Sequence, residues 1–327
     1  MNLVRHFPII LRICNLAKVP GDVLVFGDMP QSIINTKNPK DADALIISAP
    51  YDKTASFHKG TAEGPRKVVE CLNTQIEFWD RRYKTESTEK IKIAAYEIPS
   101  LPHMSPEKAH EAVVKACTES EAPLTVLLGG EHSMSFGALK ALAKKHKPSD
   151  ITIFQIDAHC DLRADDSDYT DGEPTQYAHS AVMRRAHEMG FKLVQVGIRA
   201  FSKAEYDYFT ANKKTISVFE WGVGPVPTIA KIVSAIKNKK VYISIDVDGI
   251  DPAYMPGTGT PVQGGLEWYY TLRMIEAVIE KKTLVGADVV EVSPVSDNVL
   301  TEYGAAQIVY NMINTFYKSR LVKKGKK

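Results

Sequence analysis

Four cysteines in 327 residues, Cys14, Cys71, Cys117 and Cys160, are too few and too scattered for a disulfide framework or a thiolate zinc site. None forms a C-x-x-C pair, so they read as reduced thiols of a cytoplasmic protein. Charge of one sign is missing too. Lys plus Arg number 41 against 39 Asp plus Glu, and a net charge of +2 gives no electrostatic case for nucleic acid or an anionic membrane as partner. No apolar run reaches the roughly 20 residues of a membrane span. The apolar stretch 3–17 is broken by Arg5, His6 and Arg12 and lacks a signal-peptide core and cleavage site. No phosphate loop ending in Lys-Ser/Thr is present. The basic tail, 320–327, reads as a solvated end.

No repeat, linker or low-complexity block interrupts the chain. We therefore expect one domain over 41–327, preceded by an extension, 1–40, packed on that domain or on a neighbouring subunit. Eight short apolar or β-branched runs predict strands at 44–49, 91–95, 124–128, 151–156, 193–198, 215–219, 241–245 and 284–290. Helical periodicity separates most of them, at 64–82, 106–118, 133–145, 179–189, 203–212, 227–237 and 266–280, with a last helix at about 302–316. This alternation predicts an α/β fold, a mostly parallel sheet with helices on both faces. Ligands in such sheets sit beyond the carboxyl ends of strands, and His132, Asp157, Asp246 and Glu291 all fall there.

Three clusters carry the chemistry: Gly129-Gly130-Glu131-His132-Ser133, Asp157-Ala158-His159-Cys160-Asp161 and Ser244-Ile245-Asp246-Val247-Asp248. In extended chain, residues i, i+2 and i+4 share a face. Asp157, His159 and Asp161 should then point one way and Cys160 the other, and Asp246 should align with Asp248. Four carboxylates and two imidazoles form a hard donor set that suits two Mn²⁺ or similar dications better than structural zinc. With a bridging hydroxide the site would carry a net charge of about −1, which favours a cationic substrate. Glu131 and Ser133 read as supporting residues at a helix start. Gly257, Gly259, Gly264 and Gly265, with the Asp251-Pro252 turn, suit a tight loop beside the metals.

On these motifs the chain resembles the ureohydrolase family of arginases and agmatinases, and within it the bacterial and archaeal agmatinases. The resemblance covers roughly residues 42–318. It includes the long run from Ser244 through Asp251-Pro252-Ala253-Tyr254-Met255-Pro256-Gly257-Thr258-Gly259-Thr260 to Pro261, with Pro50-Tyr51-Asp52, Gly60-Thr61, Gly64-Pro65 and Glu291-Val292-Ser293-Pro294. The family implies a three-layer α/β/α fold around an eight-stranded sheet, a binuclear Mn²⁺ centre and a homotrimer or homohexamer.

Carried over by motif, one metal takes His132, Asp157, Asp161 and Asp246, and the other His159, Asp157, Asp246 and Asp248. The resemblance makes His179 the proton shuttle, fitting for a group that titrates near neutrality. Asp161 would hydrogen-bond the hydroxide, and Glu291 would bind the guanidinium. Leu162-Arg163 and Tyr177-x-His179-x-x-Val182-Met183-Arg184-Arg185 are similar to agmatinases, whereas arginases carry Ile-Asn after the second cluster. Arg163, Asp165 and Asp166 are candidate substrate contacts, because an acidic loop suits a small guanidino substrate with a free amine and no carboxylate. Agmatine, split to putrescine and urea, is the leading expectation. Guanidinobutyrate, guanidine, arginine or a formimino compound are alternatives, as is a catalytically silent metal-binding scaffold. The acidic loop is longer than usual for agmatinases, and Lys59 stands where many members have Pro.

Overall fold

A computed structural model describes residues 18–19, 23–26, 32–86 and 90–324. Cys14 and most of the expected N-terminal extension lie outside the described residues. Within that extension, β1 (Lys18–Val19) and β2 (Val23–Phe26) are strands that the sequence pattern does not predict.

In chain order there follow β3 (Ala44–Ala49), α1 (Gly64–Thr74), β4 (Trp79–Asp80), β5 (Thr85–Glu86), β6 (Ile93–Glu97), α2 (Pro106–Glu119), β7 (Leu124–Gly129), α3 (Met134–Lys145), β8 (Ile151–Ile156) and α4 (Val182–Glu188). The remainder is β9 (Lys192–Ile198), α5 (Lys203–Ala211), β10 (Ile216–Glu220), α6 (Ile229–Ala235), β11 (Lys240–Asp246), α7 (Trp268–Lys281), β12 (Thr283–Val290) and α8 (Leu300–Lys324). All eight predicted strands form, in the order β6-β3-β7-β12-β11-β8-β9-β10, every pair parallel. β1 and β2 extend the β6 edge in antiparallel fashion.

Side-chain alternation divides the core. Along β11, Val241, Ile243 and Ile245 join one buried cluster, while Tyr242 joins the other. The first cluster packs under α1, α6, α7 and α8, the second under α2, α3 and α4, which makes three layers. Helix starts follow from local chemistry. Pro65 and Pro106 fill first-turn positions of α1 and α2, and Ser202 with Glu205 forms a capping box on α5.

The predicted helix 64–82 ends early. α1 stops at Thr74, and the aromatic-rich segment beyond it pairs as a β4–β5 hairpin. Arg82 is held there by Glu276 and Glu280 of α7, contacts that helical periodicity cannot anticipate. The first turn expected of α4 is a 3-10 turn, His179–Ala181. Among the described residues no helix is long and apolar enough to cross a membrane.

Candidate metal centre

The site is assembled from the carboxyl ends of four adjacent strands, β7, β12, β11 and β8. After β7 the chain crosses at Gly130, whose N–H donates to Ala49 O (2.9 Å) and whose C=O accepts from Glu291 N (2.8 Å). A β-carbon at Gly130 would lie 2.0 Å from Tyr51 O, so only glycine fits this crossing. The next residues deliver His132 into the centre, its backbone N–H donating to Glu291 Oε1 at 2.9 Å.

His132 is fully buried, and its orientation is set from behind. Ser244 Oγ donates to Asp288 Oδ1 (2.7 Å), which leaves its lone pairs for His132 Nε2–H (2.9 Å). That assignment turns the lone pair of Nδ1 forward. Facing it are Asp161 Oδ2 at 2.8 Å, Asp157 Oδ2 at 3.2 Å and Asp246 Oδ2 at 3.4 Å. His132 Nδ1 has no hydrogen-bond partner, so a buried lone pair confronts three carboxylate oxygens. A cation at their centre relieves that arrangement. On the other side, His159 Nδ1 lies 3.1 Å from Asp248 Oδ2 and 3.6 Å from Asp157 Oδ1.

Backbone donors fix the carboxylates. Asp246 Oδ1 accepts from Asp248 N (2.9 Å), Asp248 Oδ1 from Ala158 N (3.0 Å), and Asp157 Oδ1 from His159 N (2.6 Å). Donor atoms of His132, Asp157 and Asp246 lie within 4.8 Å of one another, as do those of Asp157, His159 and Asp248. Asp157 belongs to both groups.

Electrostatics agree that positive charge belongs here. Burial, then the neighbouring charge of Asp157, pushes Asp161 up to about 6. Burial and the charges of Asp248 and Asp157 raise Asp246 well above the carboxylate range. Burial alone would lower His159, but Asp248 and Asp157 outweigh it and lift the imidazole to about 12. Asp161 and Asp246 therefore resist ionising, whereas the imidazoles of His132 and His159 outweigh burial and hold Asp157 below the usual carboxylate range; two dications would neutralise the set. An oxygen-rich set of four carboxylates and two imidazoles fits hard dications of the Mn²⁺ type.

The route to this convergence differs from simple strand alternation. β8 ends at Ile156, and residues 157–161 form a loop in which Asp161 takes a left-handed φ of 52°. Asp248 sits in a 3-10 turn, Val247–Gly249, rather than on β11. Short polar Asp tolerates such conformations. Cys160 does turn away, into the apolar cluster under α4, where burial raises its thiol pKa.

Beside the cluster, His179 Nδ1 lies 3.1 Å from Glu291 Oε1, and His179 Nε2 lies 3.0 Å from Ser56 Oγ. Burial lowers the basicity of His179, but Glu291, Glu131 and Asp161 overcome this and raise it to about 9. Glu291 has a left-handed φ of 64°, which turns its carboxylate back over the strand end. Glu131, lifted to about 7 by burial, accepts from Thr54 and from Ser133 N.

A cavity of about 320 Å³ opens above these groups, lined by His159, Asp161, Arg163, Tyr169, His179 and Glu205 among others. Asp165 and Asp166 are not brought to it. Asp165 caps Ser167 N and Asp166 caps Thr175 N, so both carboxylates serve turns of their own loop. The acidic groups that reach Arg163 are Asp168 and Glu205, the latter at 3.9 Å. No motif marks Glu205 as a mouth residue. Its only signal was the capping box, because the contact with Leu162 N spans |i−j| = 43.

No motif marks Arg199 either. Its guanidinium donates to the carbonyls of Gly197, Asp248, Gly249, Val262 and Gln263 and so ties the 249–263 loop to the centre. Asp251 adds to this loop by accepting from Ala253 N and Gly265 N.

A profile of the arginase family matches residues 42–314. The N(1)-aminopropylagmatine ureohydrolase of Synechocystis sp. is 32% identical over 289 residues, 86% of this chain and 91% of that protein. The agmatinase of Bacillus subtilis is 31% identical over 287 residues, 85% of this chain and 93% of that protein. Among solved structures, the agmatine ureohydrolase of Thermoplasma volcanium superposes with a TM-score of 0.73 at 29% identity, covering 86% of this chain and 92% of that one. The fold and the match define a hydrolase, and the chain belongs to the arginase family. Within that family it is similar to the agmatinase-type ureohydrolases along most of its length.

Proposed function

We propose that this chain is a two-metal ureohydrolase that cleaves the guanidinium group of a linear amine, with agmatine giving putrescine and urea. The carrying observation is the six-residue cluster, in which the bare Nδ1 of His132 faces three carboxylates beneath an open cavity. His132, Asp157, Asp161 and Asp246 would hold one Mn²⁺, and His159, Asp157, Asp246 and Asp248 the other. When bound, the pair lowers the pKa of water from about 16 towards 7 and supplies the nucleophile at neutral pH.

The chain's own residues do the rest. Glu291, anchored by the His132 N–H, offers a carboxylate that orients the planar cation by charge-assisted hydrogen bonds. Asp161, which lines the cavity, would accept the proton released as the C–O bond forms. A neutral amine departs only with a proton, and His179 at the cavity wall carries it to the leaving nitrogen. One guanidinium and one water thus become urea and an ammonium.

The likeness to the Synechocystis enzyme favours a second reading for the tail of the substrate, an N1-aminopropyl extension of agmatine. Asp168 and Glu205 around Arg163 give the mouth a net negative balance that suits a further amine. In this reading the protein works in the cytoplasm as a homotrimer or homohexamer and needs neither nucleic acid nor membrane.

Urea release from agmatine, N1-aminopropylagmatine, 4-guanidinobutyrate, guanidine and arginine, measured with added Mn²⁺, tests the proposal. The two amine-tailed substrates should lead by roughly tenfold or more in kcat/KM, about 1.4 kcal/mol. A chelator should abolish the activity. Rapid hydrolysis of arginine with none of either amine would overturn the reading. His179→Ala should lower kcat about 100-fold with little change in KM. An unchanged kcat would remove His179 from the proton path.

A further inference from the structure

One layer below the candidate ligands, the sheet carries a row of polar side chains in an otherwise apolar interior. Gln195 of β9 is the register partner of Gln155 on β8, Gln155 of Ser244 on β11, and Ser244 of Asp288 on β12. All four residues have no exposed surface. Buried amides and carboxylates cost stability relative to apolar packing unless they are fully bonded. Gln195 Oε1 lacks a partner, so the row is not explained as an optimised core.

Its bonds point upward to the site. Gln155 Nε2 donates to Asp157 Oδ2 at 2.6 Å, and its second hydrogen faces His159 O at 3.5 Å. Gln155 Oε1 accepts from Gln195 Nε2 at 2.5 Å, and Gln195 Nε2 also donates to Cys160 O at 2.7 Å. Direction is forced along this line. An ionised carboxylate only accepts, so Gln155 must present its NH₂ to Asp157 and its oxygen to Gln195. At the other end, Asp288 forces Ser244 to accept from His132 by the same logic. The two residues thus oriented meet across one space, where Asp157 Oδ2 and His132 Nδ1 stand 3.2 Å apart.

We infer that the row Gln195–Gln155–Ser244–Asp288 is a positioning platform for the ion on the His132 side, with Gln155 the residue that aims Asp157 at it. The inference rests on the two-metal reading above. Gln155 and Gln195 touch neither substrate nor reacting atoms. They act by holding the 157–161 loop through Asp157 Oδ2, His159 O and Cys160 O. The His159 side depends on them less, because Asp157 Oδ1 is fixed by the His159 backbone N–H.

Calorimetric titration of the chelator-treated full chain with Mn²⁺ alone tests this, using the unmodified protein, Gln155→Leu, Gln155→His and Gln195→Leu. The unmodified protein should take up two ions. Gln155→Leu should weaken one of them by roughly 10- to 100-fold and leave the other within about threefold. Gln155→His, which keeps an N–H donor, should restore most of that loss, and Gln195→Leu should fall between. Melting of each metal-free protein checks that the fold is retained. Two ions bound by Gln155→Leu as tightly as by the unmodified protein would overturn the inference. So would equal weakening by Leu and His, which would make packing rather than the donor the cause. Failure of the unmodified protein to bind Mn²⁺ would instead remove the two-metal reading itself.

Discussion

Asp157→Asn is expected to lower kcat/KM at least 10³-fold, about 4 kcal/mol of lost transition-state stabilisation, while the metal-free protein still unfolds cooperatively. Asp157 reaches both halves of the cluster, through Oδ2 towards His132 and Oδ1 towards His159. Asparagine keeps the volume but presents an NH₂ where one of two donors, Gln155 Nε2 or His159 N, already points. It therefore loses a charge and gains a donor–donor conflict. The fold should survive, because relieving one of several crowded carboxylates does not unpack any apolar contact. Urea release, Mn²⁺ stoichiometry and a thermal melt on the same sample check this. Activity within tenfold of the unmodified enzyme would exclude a shared ligand at this position.

Gly130→Ala should have the largest effect on the fold. The added methyl would meet Tyr51 O at 2.0 Å and Tyr51 N at 2.6 Å, both backbone atoms with no rotamer to yield. Relief would require parting the ends of β3 and β7, which are joined there by Gly130 N to Ala49 O and Glu131 N to Tyr51 O. A loss exceeding about 4 kcal/mol is expected, read as a lowered denaturant midpoint and poor soluble yield. His132 and Glu291 both hang from this crossing, so Mn²⁺ uptake should vanish with it. A midpoint equal to that of the unmodified protein would show that the crossing opens at little cost.

The eight parallel strands were legible because each is a short buried run whose pattern needs no partner to be recognised. β3 and β8 form over the predicted spans, 44–49 and 151–156. What the pattern misread depends on distant contacts. The 79–86 hairpin is held by Arg82 reaching α7, and β2 pairs with the β6 edge on one side and β1 on the other. Asp165 and Asp166 looked like mouth residues by composition, yet their carboxylates bond within their own loop. Glu205 reaches the mouth from a helix start.

By itself, the sequence determined the donor chemistry. Aspartate and histidine in three clusters are a donor set that would suit hard dications whatever the backbone does between them. It also determined the strand order's raw material, because hydrophobic periodicity is local. Only the tertiary structure decided aim. The left-handed turns at Asp161 and Glu291, the glycine crossing at Gly130 and the polar row beneath Asp157 and His132 all arise between segments far apart in the chain. Direction at a metal site is set by which donor stands behind each ligand, and that neighbour is chosen by sheet register, not by spacing along the chain.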